Sequence, residues 1–486
     1  MISPGIYTRG MPSGYEIENL VRVFYPMANK TATDQKRACG ELVYARIGKN
    51  KLAAGFRIGG ECRAEWRAKP ADERQAKRIL ARMVYDLLVQ KTAFRPPWGM
   101  LTGVRPVRLL RNKQTQVGSA AAREYLVQGY DVSPEKYHLA AEVATVQRPF
   151  LQENAPDECS LYVSIPFCPT RCSYCSFVSQ SIERQGALTE PYLERLDEEL
   201  AQTGKIVKNL GLTLRTVYVG GGTPTALREK QLEKLLFSIG SHFDLSFVRE
   251  YTVEAGRPDC TSFEKLLLLK QYGVSRVSIN PQSMSDKVLS AIGRRHKAAD
   301  ILRCYEDALR AGHENVNMDV IAGLPEDTAE TFHNTLQELL RLAPANLTVH
   351  TLTLKKGSHL SGERGSGGTN APQMLQTAYP LLERAGYRPY YLYRQKGTPD
   401  NLENTGWAKP GMECLYNILI MEEVQSILSV GAGGVTKLVS QQGGIIKRTY
   451  NDKYPLEYLR QFPKVLQRKR GVEESYARIL DTQAAR

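Results

Sequence analysis

The chain has 486 residues, of which 42% are apolar, and a formal net charge of +14. Such a chain can bury a large core without a disulfide framework, and no run of about 18 apolar residues predicts a membrane span. Its first residues contain no apolar signal segment, and its nine cysteines suit a reducing compartment. We therefore predict a cytoplasmic protein of about three domains.

The positive charge is concentrated in the first third of the chain. Residues 1–150 contain 25 Lys and Arg against 13 Asp and Glu, and so carry +12 of the net +14. A basic region of this kind attracts polyanions, either nucleic acid or an acidic small molecule. A solvated basic face on an accessory domain is the alternative interpretation, and composition alone leaves both open.

Residues 1–155 are predicted to form an α+β accessory domain. The alternating runs ELVYARIG and LAAGFRIGG flank a Lys-Asn-Lys turn and predict a hairpin. After Pro70, apolar residues at helical spacing predict an amphipathic helix: Ala76, Ile79, Leu80, Met83, Val84 and Leu87. RPPWGMLTGVRPVRLLRN follows, and its Pro pair and glycines exclude one continuous helix. Its Trp98, Arg105, Arg108 and Arg111 indicate a loop that binds a carboxylate or phosphate or, the favoured alternative, docks on the next domain.

The most informative stretch is LYVSIPFCPTRCSYCSF, residues 161–177. It places Cys168, Cys172 and Cys175 in a C-x3-C-x2-C array directly after a strand-like run. Three thiolates this close cannot all pair as disulfides, but they can converge on one soft metal centre. A structural zinc site normally has four protein ligands, and no fourth Cys or His follows at a ligand spacing. A [4Fe–4S] cluster held by three cysteines would leave one iron open to a small molecule, and a zinc knuckle or buried thiols are the alternative interpretations.

From about residue 156 to residue 395, predicted strands and helices alternate, which indicates a parallel β/α architecture. TVYVGGGTPT is a strand that ends in three glycines, where exposed N–H groups suit a carboxylate or a sugar. Later strands end near polar residues in EYTVEAGRPD, RVSINPQSM and NMDVIAGLPEDT. Since ligand-binding side chains lie at the C-terminal ends of strands in β/α barrels, Glu254, Gln282 and Asp319 are candidate ligand contacts.

The stretches LYVSIPFC, GGGTPT, SINPQS and DVIAGLP resemble, over residues 158–440, one branch of the radical S-adenosylmethionine (SAM) enzymes. This branch is the oxygen-independent coproporphyrinogen III oxidase, or dehydrogenase, family. The resemblance implies a partial (β/α)6 barrel in which Cys168, Cys172 and Cys175 bind three irons of a [4Fe–4S] cluster, and SAM chelates the fourth. It also implies one or two SAM molecules contacted by Tyr162, Gly221, Gly222, Thr223, Glu254, Gln282, Arg294 and Asp319.

The resemblance implies a reaction as well. The reduced cluster cleaves SAM, and the resulting 5′-deoxyadenosyl radical takes a β-hydrogen from a propionate of coproporphyrinogen III. Carbon dioxide leaves and a vinyl group forms; two rounds give protoporphyrinogen IX for haem biosynthesis. An electron donor and an acceptor are required as partners. A substrate with four carboxylates suits an arginine-rich surround.

One residue departs from the family pattern. Well-studied members carry a fourth cysteine where this chain has Phe177, and relatives with C-x-F include haem chaperones and methyltransferases. A haem chaperone, with His296, His350 or His359 as conceivable axial ligands, is therefore an alternative, and radical modification or methylation of RNA is another. The basic N-terminal region, PYYLYRQK and NLENTGWAKPG nevertheless resemble the coproporphyrinogen dehydrogenases of low-GC Gram-positive bacteria.

The last part of the chain, residues 396–486, is predicted to be a mostly helical domain, and the family resemblance implies that it closes over the barrel. NILIMEEVQSILSV has a helix-like pattern and enters a turn with three glycines at residues 431–434, which is weak support for phosphate binding. Tyr390, Tyr391 and Tyr393 either line the substrate face or, more commonly for such a strand, are packing residues.

Overall fold

The computed structural model describes residues 2–31, 40–353, 370–395, 398, 401–440 and 446–484. Within these ranges the chain forms two compact units. The N-terminal unit consists of residues up to 141 and residues 393–403; the core unit consists of residues 142–353, 370–392 and 404–484. The division into three domains at residues 155 and 395 stays a prediction.

The N-terminal unit is built on a mixed sheet, with one helix between its first two strands and the other helices after the last strand. Its elements are β1 (Gly5–Arg9), α1 (Tyr15–Phe24), β2 (Asn29–Lys30), β3 (Leu42–Ile47), β4 (Lys51–Ile58), β5 (Glu61–Ala68), α2 (Glu73–Thr92), α3 (Pro106–Tyr130) and the start of α4 (Pro134–Gln152). The strand order is β2-β1-β3-β4-β5. β1 runs parallel to β2 and β3, whereas β3, β4 and β5 are antiparallel neighbours.

The predicted hairpin is confirmed as β3 and β4. Alternate side chains of a strand face the same side of the sheet, and on this side Val43, Ala45, Leu52, Ala54 and Phe56 are buried in one core with residues of α1 and α2. The apolar alternation in the sequence therefore marks the face that the helices cover.

Helix α2 confirms the predicted amphipathic helix. Asp72 caps it by accepting hydrogen bonds from the N–H groups of Arg74 and Gln75, both at 3.1 Å. Five of the six apolar residues predicted on its inner side are buried, and Ile79 is partly buried against the same core. Helix α3 begins only at Pro106, so the preceding Pro- and Gly-rich segment is not part of one continuous helix, as predicted.

The core unit begins with alternating strands and helices. Its first elements are β6 (Glu158–Ile165), β7 (Phe167–Cys168), β8 (Gln180–Ser181), α5 (Ile182–Gln185), α6 (Thr189–Asn209), β9 (Thr213–Gly221), α7 (Glu229–His242), β10 (Glu250–Glu254), α8 (Phe263–Gln271), β11 (Arg276–Ser278), α9 (Asp286–Ala291), α10 (Ala298–Arg310), β12 (Asn315–Ala322), α11 (Ala329–Leu342) and β13 (Asn346–Thr351). β6, β9, β10, β11, β12 and β13 are successive parallel neighbours. This order confirms the predicted α/β core of six parallel strands, the strand set of a partial (β/α)6 barrel.

The remaining elements extend the same sheet at both edges. They are α12 (Ala371–Arg384), β14 (Arg388–Arg394), β15 (Glu403–Ala408), α13 (Leu415–Glu422), β16 (Ser426–Val430), β17 (Val435–Val439), β18 (Ile446–Tyr450), α14 (Pro455–Arg460) and α15 (Phe462–Ala484). The complete order is β14-β15-β13-β12-β11-β10-β9-β6-β16-β17-β18. β16 runs parallel to β6, and β17 and β18 follow as antiparallel strands.

The helix predicted for NILIMEEVQSILSV is wrong in its second half. Helix α13 ends at Glu422, and Glu423 adopts a left-handed conformation with φ 52°. SILSV then forms the fully buried strand β16 beside β6. A short apolar run fits a buried strand and a buried helix equally well, and here the neighbouring strand decides.

The glycine turn after β16 is held by protein groups. The N–H of Gly431 donates to Glu199 Oε2 at 2.8 Å, and the N–H of Ala432 donates to the Tyr192 hydroxyl at 2.9 Å. Lys469 Nζ lies 3.1 Å from the other Glu199 oxygen. The turn therefore connects the C-terminal elements to α6, and its first two N–H groups have acceptors without a phosphate.

No helix in the described ranges is both long enough and apolar enough to cross a membrane.

Candidate active site

The three cysteines lie on a loop whose base is closed by two short parallel strands. β7 pairs with β8, so that Phe167 lies opposite Gln180 and Cys168 opposite Ser181. Cys172 is buried, Cys168 and Cys175 are partly buried, and all three are free thiols. Burial raises the pKa of Cys175 to about 11, and the neighbouring Cys172 and Cys168 act in the same direction. The loop therefore brings the three sulfurs into one electrostatic environment.

Each of the three sulfurs receives a hydrogen bond. Thr223 Oγ1 donates to Cys168 Sγ at 3.5 Å, and Arg257 Nη1 donates to Cys172 Sγ at 3.5 Å. The backbone N–H of Phe177 donates to Cys175. Hydrogen bonds of this kind stabilise thiolates and set the reduction potential of iron–sulfur clusters.

The donor set fits the implied [4Fe–4S] cluster. In the described part of the chain, no three His, Cys, Asp or Glu side chains are arranged to hold a single metal ion. A four-iron cluster poses a different requirement, because each cysteine binds a different iron. Three soft sulfur ligands, each with a hydrogen-bond donor, meet that requirement. We assign Cys168, Cys172 and Cys175 to this role as a prediction.

The glycines at the end of β9 and directly after it allow the strand end to lie against the start of the cysteine loop. The N–H of Gly222 donates to Ile165 O at 2.8 Å, and the N–H of Thr223 donates to Phe167 O at 2.7 Å. A Cβ atom at Gly222 would lie 2.5 Å from Phe167 O. Gly221 has φ 107°, which side chains rarely tolerate. These predicted contact residues therefore position the cysteine loop directly.

Glu254 is the last residue of β10 and contacts Gly221 at the end of β9. Its Oε1 accepts from the Tyr218 hydroxyl at 2.8 Å and its Oε2 from the Gly221 N–H at 3.3 Å. Burial, with Asp319 nearby, raises the pKa of Glu254 to about 7. The carboxylate is thus suited to a cationic partner such as the ammonium group of an amino acid.

Tyrosine rings line the same part of the site. Tyr162 on β6 and Tyr218 on β9 are stacked with ring centres 6.0 Å apart, and Tyr416 stacks on Tyr218 at 4.6 Å. Tyr162 was predicted as a cofactor contact, whereas Tyr218 and Tyr416 were not. Tyr218 lies two residues before Gly220, on the same face of the strand, and this alternation would have indicated it. Nothing in the local sequence indicates Tyr416.

Gln282 has an unused hydrogen-bond acceptor. It is only 6% exposed and has a left-handed backbone with φ 66°. Its backbone pairs with β12, since its N–H donates to Asp319 O at 2.8 Å. Among the described residues, nothing donates to its Oε1. An unpaired buried oxygen costs about 1–3 kcal/mol, which a ligand N–H or O–H would offset, so this residue fits the predicted SAM site.

Asp319 lies within β12 rather than at its end. It accepts from Asn317 Nδ2 at 2.7 Å, and His350 Nε2 lies 3.8 Å from its second oxygen. Burial raises the pKa of Asp319, but His350 and Asn317 outweigh burial and hold that pKa below its usual range. Asp319 is therefore an anion next to Glu254, and the two carboxylates titrate differently.

Arg294 contacts three segments of the site. Its Nη1 donates to Gly256 O at 3.1 Å and to Asn280 O at 2.8 Å, and its Nη2 donates to the Tyr174 hydroxyl at 3.1 Å. Tyr174 lies between the second and third cysteines. Arg294 therefore joins the ends of β10 and β11 to the cysteine loop, beyond its predicted contact with SAM.

Arg257 is a site residue that the sequence did not indicate. It is 3% exposed, donates to Thr170 Oγ1 at 3.1 Å as well as to Cys172, and forms a bidentate pair with Asp259 at 2.7 and 2.8 Å. His296 Nδ1 lies 3.8 Å from the same carboxylate. The only hint in the sequence was its position in the loop after Glu254.

The other predicted positions have mixed outcomes. Phe177 is 66% exposed at the edge of the cysteine loop. His296 is buried beside Asp259, His350 faces Asp319, and His359 lies outside the described residues. Tyr390 and Tyr391 are buried, which favours packing, whereas Tyr393 is partly buried.

The loop around Trp98, in the segment RPPWGMLTGVRPVRLLRN, forms hydrogen bonds inside the N-terminal unit. Trp98 is buried, and its Nε1 donates to Glu403 Oε2 at 2.7 Å. Lys136 Nζ lies 2.5 Å from the other oxygen of Glu403. The indole therefore has a structural role there, and the loop's docking function stays a prediction.

Comparison with known proteins supports these observations. The family model of the radical SAM superfamily matches residues 162–339. The chain is 38% identical, over 397 residues, to the Bacillus subtilis oxygen-independent coproporphyrinogen-III oxidase-like protein HemZ, covering 80% of this chain and 79% of that protein. It is 32% identical to the B. subtilis heme chaperone HemW, over 56% of this chain and 69% of HemW.

A solved structure has the same fold. Coproporphyrinogen III oxidase (HemN) from Escherichia coli, described as a radical SAM enzyme, superimposes with a TM-score of 0.51 at 23% identity. The match covers 66% of this chain and 72% of HemN. At this identity the likeness concerns the fold alone.

Proposed function

This chain belongs to the radical SAM superfamily and, within it, to the oxygen-independent coproporphyrinogen III oxidase-like family, and on that premise we propose that it is an oxygen-independent coproporphyrinogen III dehydrogenase. Each of two propionate side chains of the substrate loses a β-hydrogen atom, carbon dioxide and one electron, and becomes a vinyl group. The product is protoporphyrinogen IX. A donor protein or reductant supplies electrons to the cluster, and an acceptor takes the electron that the substrate releases.

The observation that carries the proposal is the direct connection between the cysteine loop and the strand ends. Thr223 and Arg257 each donate to a cysteine sulfur, and Arg294 binds Tyr174 between the cysteines. These contacts support the proposal, because they connect the cysteine loop with polar residues that would hold a cofactor. Membership of the superfamily implies a [4Fe–4S] cluster and SAM, which together supply abstraction of a hydrogen atom when bound.

The chain's own residues then have distinct roles in the proposal. Cys168, Cys172 and Cys175 hold three irons. The N–H groups of Gly221, Gly222 and Thr223 already donate to protein oxygens, so these residues offer backbone carbonyl groups, rather than the expected N–H groups, to one or two SAM molecules. Glu254 offers a carboxylate to the ammonium group of the methionine moiety. Tyr162, Gln282, Arg294 and Asp319 complete the predicted contacts. The aromatic stack of Tyr162, Tyr218 and Tyr416 helps to exclude water from this part of the site.

A haem chaperone is a second candidate. It is favoured by Phe177, which stands where a fourth cysteine was expected and is 66% exposed, and by the similarity to heme chaperones named HemW. In this case the protein keeps its cluster and binds haem without decarboxylating a porphyrinogen.

Anaerobic reconstitution distinguishes the two functions. The protein is loaded with iron and sulfide and incubated with SAM, a reductant, an electron acceptor and coproporphyrinogen III. Chromatography then quantifies 5′-deoxyadenosine and porphyrin products. We expect vinyl products in step with 5′-deoxyadenosine, and loss of both in Cys172→Ala. Cys62→Ala, at an exposed free cysteine of the N-terminal unit, is the matched control and should retain both.

Other outcomes redirect the proposal. Formation of 5′-deoxyadenosine without vinyl products would support radical chemistry but would contradict the assignment of coproporphyrinogen III as the substrate. An intact, reduced cluster that does not cleave SAM, combined with stoichiometric haem binding, would support the chaperone.

A further inference from the structure

A row of cations and an exposed tryptophan crosses the sheet of the N-terminal unit. Residues that are partners on neighbouring strands lie on the same face of a sheet. Arg9 on β1 pairs with Arg46 on β3. Arg46 in turn pairs with Ala53 on β4, and Ala53 pairs with Trp66 on β5. Lys51, two residues before Ala53, lies on this same face. We name Arg9, Arg46, Lys51 and Trp66 the Trp66 row.

The members of the Trp66 row are exposed side chains. Trp66 is 65% exposed, and Arg9, Arg46 and Lys51 are also exposed. Throughout the described ranges, no side chain forms an ion pair with these three cations. Small Ala53 between Arg46 and Trp66 leaves a shallow gap, with the two flanking strands about 10 Å apart.

Acidic residues are confined to the opposite face of the same edge strand. Glu61 and Glu65 alternate with Trp66 along β5, and their partners Ile58 and Ala54 belong to the face that α1 and α2 cover. Like charges directly opposite on neighbouring strands destabilise a sheet. Arg9 beside Arg46 therefore has an energetic cost that an anionic ligand would offset.

We propose that the Trp66 row binds single-stranded RNA. Aromatic side chains stack on bases while nearby cations contact the phosphates, which is the general chemistry of single-strand recognition. Unpaired bases are regularly available in RNA loops and ends, whereas DNA strands are separated only during unwinding. The inference is independent of the proposed dehydrogenase reaction, since it concerns a different unit of the chain.

Tryptophan fluorescence reports this site selectively. The chain has three tryptophans, and the other two, Trp98 and Trp407, are 1% and 0% exposed. Titration of the full-length protein with an unstructured RNA oligonucleotide should quench emission from Trp66, and labelled RNA should show a parallel rise in anisotropy. We expect Trp66→Ala to weaken binding about tenfold and Trp66→Phe to restore most of it.

Charge variants test the same face. Arg46→Gln and Lys51→Gln should each reduce the slope of log affinity against log salt by about 0.7. Arg67→Gln, next to Trp66 but on the opposite face, is the matched control and should bind as the unchanged protein does. Equal losses in Arg67→Gln and Arg46→Gln would overturn the proposal in favour of diffuse charge attraction.

Competitors define the ligand. Single-stranded DNA that binds as tightly as RNA, or coproporphyrin III that displaces the RNA, would overturn the RNA assignment. Absence of quenching at physiological salt would refute the site altogether.

Discussion

Arg257 shows how a residue remote in sequence can control the cysteine loop. It lies 85 positions after Cys172 and donates a charge-assisted hydrogen bond to that sulfur. Arg257→Gln removes a buried cation and leaves Asp259 without its bidentate partner, and both changes disfavour the more negative, reduced cluster. We expect the reduced-to-oxidised ratio at a fixed potential to fall at least about tenfold, which is 59 mV for one electron. Potentiometry followed by electron paramagnetic resonance measures this ratio.

The control for Arg257 is Arg295→Gln, because Arg295 pairs with Glu183 at an exposed position. A reduction potential that moves equally in both variants would indicate a general effect of charge. An unchanged potential in Arg257→Gln would show that this hydrogen bond does not tune the cluster.

Glu254 makes the stability of the apo-protein depend on pH. Its pKa is about 7 in the folded protein against a reference value of 4.5, mainly because it is buried. Between these two values the folded state retains a proton that the unfolded state releases, so stability falls as pH rises through this window, by about 3 kcal/mol in total. We expect Glu254→Gln to remove this loss. Melting temperatures at about pH 5 and pH 8 compare the two proteins.

Exposed Glu198, which pairs with Arg195 on α6, provides the control as Glu198→Gln. That variant should lose stability with rising pH as the unchanged protein does. If Glu254→Gln loses as much stability between the two pH values as the unchanged protein does, the buried Glu254 carboxyl is not the source of the pH dependence.

Site residues differ in how readily the sequence reveals them. The cysteines and the glycines follow short spacings, so local sequence was enough to predict that they act together. Gln282 and Asp319 were indicated by their positions near strands β11 and β12. Arg257 and Tyr416 contact the site through chain folding over long separations, and no local pattern distinguishes them from ordinary polar or packing residues.

The junction between β9 and the cysteine loop depends on a residue without a side chain. In Gly222→Ala the new Cβ would lie 2.5 Å from Phe167 O and 2.8 Å from Ile165 O, so the backbone would have to move. We expect a loss of about 1–3 kcal/mol in stability and less iron retained after reconstitution. Melting temperature and iron content per chain measure the two effects.

Gly240→Ala is the matched control. Gly240 lies within helix α7, and its new Cβ would be 4.0 Å from the nearest atom, which belongs to Leu245 beyond the helix. Alanine should leave that helix unchanged or more stable. Full iron retention and an unaltered melting temperature in Gly222→Ala would contradict the role of this junction.

Among the elements, those with a long periodic pattern were predicted best. Helix α2 and the β3–β4 hairpin follow directly from apolar spacing and from a turn. Strand β5 was not predicted, since ECRAEWRA has few apolar residues and is largely exposed. Strand β16 has a helix-like pattern in the sequence because three of its five residues are apolar, and its pairing with β6 is non-local.

At the scale of the whole molecule, we expect the fold to persist without the cluster. The cysteines lie on a loop closed by β7 and β8, whereas the core is formed by the long strands and the helices around them. We expect removal of the cluster by a chelator to abolish its visible absorbance and leave the far-ultraviolet circular dichroism unchanged. A small zinc domain behaves oppositely and unfolds without metal.

Thermal melting is the second measurement on the protein without its cluster. We expect a cooperative melting transition to remain, with a modestly lower melting temperature. Collapse of the helical signal in the apo-protein would contradict this view and would make the cluster a folding element.

The position of β6 has a consequence for biosynthesis. β6 lies between β9 and β16. The hydroxyl of Ser164 on β6 donates a hydrogen bond to the backbone oxygen of Ala432, which is 268 residues later in the chain. A nascent chain that has not yet produced β16 therefore exposes one hydrogen-bonding edge of its first core strand. Such edges recruit other strands and promote aggregation. Pairing across so long a separation also slows folding. The core sheet is consequently completed only after β16 has been synthesised, and cluster insertion is expected to follow that step.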